Sequence, residues 1–184
     1  MRIAPLEAPF TEDVTAALAP MSRFGPPIAL FRTLAHNTGL TAASMHGLGG
    51  YFLSRNLSVD VRTRELVIDR VSARCGCDYE FGIHVLSFAA KAGLTAEQIS
   101  SLARGGPDDA CWTDQRDRAV IRLVDTLHDT SGVDDAGWAS ASAHFSDPQL
   151  LDLLALAGWY HAIAYLARGA DVPLEPGAPT LATA

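Results

Sequence analysis

Apolar residues recur at intervals of three and four along nearly the whole of this chain, and no stretch alternates apolar with polar residues for long. Such spacing lines up one face of a helix at 3.6 residues per turn, whereas in a strand it would scatter the same residues over both faces. The expected class is therefore all-α. Glycine and proline mostly punctuate the periodic segments. A short helix is expected from Thr11 to Ala19, then one over "PPIALFRTLAHN", then a third from about Leu40 to Leu53. In the third, Gly47, Gly49 and Gly50 point to close backbone packing or a local break. Ser58 is the expected cap of "VDVRTRELVIDRVSARC", which stops at Gly76, and the next helix ends on Gly93. Thr95 with Gln98, and Ser146 with Gln149, have the spacing of capping boxes. The second of these opens the longest apolar run, from Leu150.

The chain has 184 residues, which suits a single domain over 1–170 followed by a Pro- and Ala-rich tail, 171–184, whose composition favours a loose segment. Hydrophobic residues make up 48% and charged ones 19%, so part of the surface is expected to be covered in a homo-oligomer, a dimer, trimer or hexamer built on apolar helices. A net charge of -7 without clustered Lys and Arg argues against nucleic acid as a partner. The N-terminal residues contain no continuous apolar stretch of the secretory kind, so a cytoplasmic location is expected. Asp152, His161 and Tyr165 interrupt the run from Leu150, which therefore reads as a core helix and not a membrane span. Three cysteines do not make a disulfide framework.

The chemistry concentrates in "RELVIDRVSARCGCDYEFGIH", Arg64 to His84. On a helix, Cys77, Glu80 and His84 share one face, and Glu65 on the preceding helix could return opposite them through the Cys-Gly-Cys turn. Three chemistries compete. A dithiol centre wants Cys-x-x-Cys, but position 80 is Glu, and Cys75 with Cys77 could form only a strained disulfide. A metal site could pair Glu80 and His84 with Glu65 or His128, yet no His-Glu-x-x-His pattern supports it, and no metal is expected. Acid/base work needs only an imidazole within reach of a carboxylate that sets its tautomer, which i, i+4 spacing supplies. The bland alternative is a solvated Glu-His helix pair.

This stretch resembles the carboxymuconolactone decarboxylase family, which shares an all-helical fold with the alkylhydroperoxidase D (AhpD) proteins. Arg64, Glu65, Leu66, Val67 and Ile68 match the family's Arg-Glu-Leu-Val-Ile, Cys77 to Glu80 its Cys-x-x-Cys or variant, and His84 its histidine four residues on. "ALFRTLAHN", "AAKAGLTAEQI", "LVDTLHDT" and "GWYHAIAYLARGADVPLEP" extend the likeness over almost the whole chain. Peroxidase members need both cysteines, and Glu80 stands where the second would be; Glu followed four residues later by His is similar to the decarboxylase branch.

The resemblance implies a carbon–carbon lyase that needs no cofactor and acts on a small carboxylated or lactone-type molecule. It implies His84 as proton donor, Glu80 as its orienting carboxylate, and Glu65 as a second acid/base or a partner for Arg64 or Arg70, the two glutamates being exchangeable. Cys77 would be a pocket wall or weak donor. Tyr79, His128, Tyr160 and His161 are the candidate substrate contacts, His161 ahead of His128. The alternatives are a thiol peroxidase working through Cys77 and a helical oligomer without catalysis.

Overall fold

A computed structural model describes residues 1–22 and 25–184. Among the described residues there are α-helices and no strand: α1 (Glu12–Ser22), α2 (Ala29–Leu34), α3 (Thr38–His46), α4 (Leu48–Phe52), α5 (Val61–Arg74), α6 (Asp78–Ala92), α7 (Ala96–Arg104), α8 (Gln115–Thr130), α9 (Asp135–Ser142) and α10 (Asp147–Ala170). The fold is all-α among the described residues, as the spacing predicts. The expected third helix is broken at Gly47 into α3 and α4. The cap of α5 is not Ser58 but Asp60, whose carboxylate accepts the Thr63 N–H at 2.8 Å. Ser58 instead donates through both its N–H and its hydroxyl to Asp152 of α10, tying the loop before α5 to the last helix. The Thr95–Gln98 box is present.

Helix α5 is the axis of the molecule. Every residue from Thr63 to Ser72 is buried, and α6, α7, α8 and α10 all pack against it. Leu66, Val67, Ile68 and Val71 supply its apolar contacts, each burial worth about 1.5–3 kcal/mol. Four charged residues, Arg64, Glu65, Asp69 and Arg70, go inside with them. Unpaired charge cannot stay in such a place, so partners are needed. Arg70 holds both oxygens of Asp125 on α8, at 2.6 and 2.8 Å, and donates to the carbonyls of Leu102 and Gly105 at the end of α7. One side chain thus ties three helices together.

The turn from α5 to α6 is tight because Gly76 adopts φ +62°, a left-handed conformation that costs glycine little. It returns α6 antiparallel along α5. Helix α10 is long and apolar enough to cross a membrane by length and composition, and half of its most apolar window is buried. Leu150, Leu153, Leu156, Tyr160, Ile163 and Ala164 carry that burial.

The tail, for which composition alone favours a loose segment, makes specific contacts. Tyr79 donates its hydroxyl to Glu175 at 2.8 Å, and the Leu181 N–H donates to Asp78 at 2.8 Å. Leu181 and Ala184 pack on the core. The segment passes so close to α6 that a Cβ on Gly82 would sit 2.4 Å from the Pro179 carbonyl oxygen.

Candidate active site

Because α6 runs back along α5, residues near the start of α5 meet residues in the first two turns of α6. His84 Nδ1–H donates to Glu65 Oε2 at 2.7 Å, while the other Glu65 oxygen accepts Arg64 Nε–H at 2.6 Å. The far ring nitrogen, Nε2, lies 3.4 Å from Glu80 Oε1, one helical turn back. Glu80 Oε2 is buried without a protein partner. Rings hold the imidazole in place: Tyr160 meets it edge-on at 5.1 Å and Phe88 lies 5.3 Å away. The closer carboxylate is therefore Glu65, the reverse of the arrangement in which Glu80 orients the histidine.

Electrostatics make this histidine a cation. Burial alone would lower its pKa, but the Glu65 charge and hydrogen bond, followed by those of Glu80, outweigh burial and push it up to about 10. At neutral pH the ring is an imidazolium, with both N–H groups available to donate. Asp69, four residues after Glu65 on α5, has both oxygens buried without a partner. Burial, then repulsion from Glu65, raises its pKa well above the usual carboxyl range.

Arg64, Glu80, His84 and Tyr160 open onto a cavity of about 340 Å³, within the size range of small-molecule sites. Its other walls are largely apolar, including Ile28, Leu30 and Phe31 from the α2 region and Trp159 and Ile163 from α10. Lys91 lines it from an exposed position. The guanidinium of Arg64 and the ammonium of Lys91 lie 4.9 and 5.5 Å from the centre of the Phe88 ring.

Of the residues expected here, His84, Glu80, Glu65 and Tyr160 come together; the others do not. Cys77 is the N-cap residue of α6, fully buried in an apolar cluster with Leu30 and Ala164 and away from the cavity wall. Burial pushes its thiol up to about 11. Tyr79 accepts the Leu30 N–H and donates to Glu175, so its hydroxyl is occupied in anchoring α2 and the tail. His128 and His161 stack on each other at 5.4 Å beside a different pocket. Reading single residues missed Asp69, Phe88 and Lys91. Their signal was in the spacing, since Glu65 and Asp69 stand four apart and Glu80, His84, Phe88 and Lys91 follow at four, four and three.

Residues 40–122 match the model of the Carboxymuconolactone decarboxylase family. Over that segment the chain is similar to that family. The family segment supplies Arg64, Glu65, Glu80 and His84, whereas α10, which brings Tyr160 and Trp159, lies beyond it. No curated protein sequence matches the chain. Solved structures share its fold. The debrominase Bmp8, determined as a variant with 2,3,4-tribromopyrrole, superposes with a TM-score of 0.77 at 12% identity, over 96% of this chain and 92% of that one. An uncharacterized peroxidase-related protein from Silicibacter sp. TM1040 gives 0.77 at 16% identity, over 96% and 94%. A protein of unknown function from Agrobacterium tumefaciens, a candidate AhpD antioxidant-defence protein, gives 0.63 at 22% identity, over 72% and 90%. At these identities the likeness is one of fold. Carboxymuconolactone decarboxylase family members are enzymes, which directs attention to the cavity beside His84.

Proposed function

We propose that this chain is an enzyme that carries out acid/base chemistry on a small carboxylated, lactone-type substrate, by decarboxylation or a related proton transfer. The observation that carries the reading is a buried imidazolium, His84, clamped between Glu65 and Glu80 at the wall of a closed-in apolar cavity. In a carboxylated unsaturated lactone the bond to the carboxylate breaks, CO2 leaves, and the electron pair passes into the conjugated carbonyl as a dienolate. The conjugated carbonyl itself is the electron sink, so the step calls on no cofactor. A proton must then reach carbon, and His84 Nε2–H, on the Glu80 side, is the group poised to give it. Glu65 holds the ring through Nδ1 and stabilises the charged form. Arg64 and Lys91 supply positive charge for the substrate carboxylate and the developing enolate, against apolar walls that strengthen both interactions.

A thiol peroxidase reading has less support. Cys77 is fully buried, its thiol is protonated at neutral pH, and Glu80 stands where a second thiol would be needed.

The test is CO2 release from a panel of carboxylated unsaturated lactones, run beside a peroxide assay with a dithiol reductant. Turnover of a lactone that falls by about 10²–10⁴ in His84→Gln, with helicity unchanged, is the expected result. Sustained peroxide consumption with no lactone turnover would sink the reading.

A further inference from the structure

A second constellation lies on the opposite end of α5 from Glu65 and uses none of the residues around the His84 cavity. Cys75 caps the C-terminus of α5, His128 sits in the last turn of α8, and His161 is on α10. Their donor atoms, one sulfur and two imidazole nitrogens, all lie within 4.8 Å of one another. Three helices separated in sequence thus deliver three soft or borderline donors to one point. They face a pocket of about 600 Å³ that Arg2, Arg74 and Arg168 also line.

We propose that Cys75, His128 and His161 bind a borderline-soft divalent ion of the zinc class, with the fourth coordination position open to that pocket. The donor set is the one such ions select, a thiolate with imidazoles and no carboxylate or carbonyl. Tetrahedral bonds of about 2.0–2.3 Å put donor atoms roughly 3.5 Å apart, so side-chain rotations that close the present spacing by about one ångström complete the site.

The surroundings hold the donors in position. The Cys75 backbone is pinned on both sides, its N–H donating to the Val71 carbonyl at 2.9 Å and its own carbonyl accepting Arg168 Nη1–H at 2.6 Å. Tyr165 meets the His161 ring edge-on at 4.8 Å. His128 Nδ1 is a buried nitrogen with no hydrogen-bond partner, which is costly unless something outside the protein chain satisfies the ring. An ion would take the Cys75 sulfur by displacing its proton.

The arginines distinguish this arrangement from a closed structural site. An ion with one thiolate carries net positive charge, which three guanidiniums nearby would oppose unless the fourth ligand were an anion. Arg74 is paired with Asp129, Arg2 lies near Asp171 and donates to the Gly169 carbonyl, and Arg168 donates to the Cys75 carbonyl at the edge of the pocket. Hydroxide or a small carboxylate in the open position fits that wall.

Titration of the full metal-stripped chain with Co2+, which reports thiolate ligation through near-ultraviolet charge-transfer absorption, tests the site directly. The expected result is a single saturating equivalent with that absorption, displaced by Zn2+. Cys75→Ser should abolish the band, and His128→Ala and His161→Ala should each weaken Zn2+ binding by about 10–100-fold or more, with helicity preserved. Cys111→Ser, a cysteine outside the cluster, should change nothing. Absence of the band in the unmodified chain, or its survival in Cys75→Ser, would overturn the proposal. So would equal Zn2+ affinity in His161→Ala, since that is the mark of adventitious histidine binding.

Discussion

His84 Nδ1 and Glu65 Oε2, nineteen residues apart in the chain, lie 2.7 Å from each other in a site where both side chains are buried. This contact decides the protonation state of the cavity. Replacing Glu65 by Gln keeps the shape and removes the charge that holds the imidazolium. The His84 pKa should fall from about 10 toward or below the ordinary histidine range, because burial then acts unopposed by its strongest partner. An NMR titration of the ring would show it, and the alkaline limb of any pH–rate profile should move to lower pH with it.

Asp69 and His84 both have folded-state pKa values above their unfolded ones. In each case the native state binds the proton more tightly. The stability this contributes is fully present below the unfolded pKa and is lost as pH rises through the folded one. For His84 the window opens above the ordinary histidine value of 6.5 and runs to about 10. For Asp69 it opens above the ordinary aspartate value of 3.8 and extends upward. Asp69→Asn, which is neutral throughout, should match the parent in strongly acidic solution and exceed it at alkaline pH. Denaturant midpoints across a pH series would measure the difference.

Arg70 is the buried tie between α5, α7 and α8. Arg70→Ala strands the Asp125 carboxylate and two carbonyls, so a loss of about 3–5 kcal/mol is expected in equilibrium unfolding. The surface pair of Arg116 and Asp60 is the contrast: Arg116→Gln, which leaves Asp60 in place as the cap of α5, should cost under about 1 kcal/mol.

Gly82 has no room for a side chain beneath the tail. Gly82→Ala should lift residues around Pro179 off α6 and raise amide hydrogen exchange at Leu181, whose N–H is bonded to Asp78. Unchanged exchange there would show that the tail does not rest on α6.

The all-helical class, the helix order and the Glu80–His84 pair were legible in the sequence because each depends on local spacing alone. The resemblance carried by Arg64 to His84 pointed to Glu65 for the same reason: the short turn at Gly76 leaves α6 only one direction in which to run. The role of each glutamate was not legible, because i, i+4 spacing shows that Glu80 can reach His84 but not that Glu65 reaches it more closely. Cys77 and Tyr79 are candidates for the cavity by their nearness in sequence to Glu80 and His84, and His128 and His161 by residue type on helices that could reach it. Helical rotation sends them elsewhere: Cys77 into the apolar cluster under α2, Tyr79 to the tail, and the two histidines to a separate pocket with Cys75.

By itself, then, the sequence determined the periodic helices, the reversal between α5 and α6, and the residue types able to move a proton. Only the tertiary structure decided which of those groups lose water and which find a partner. Desolvation and pairing are properties of how α2, α8 and α10 close over α5, and no run of consecutive residues encodes them.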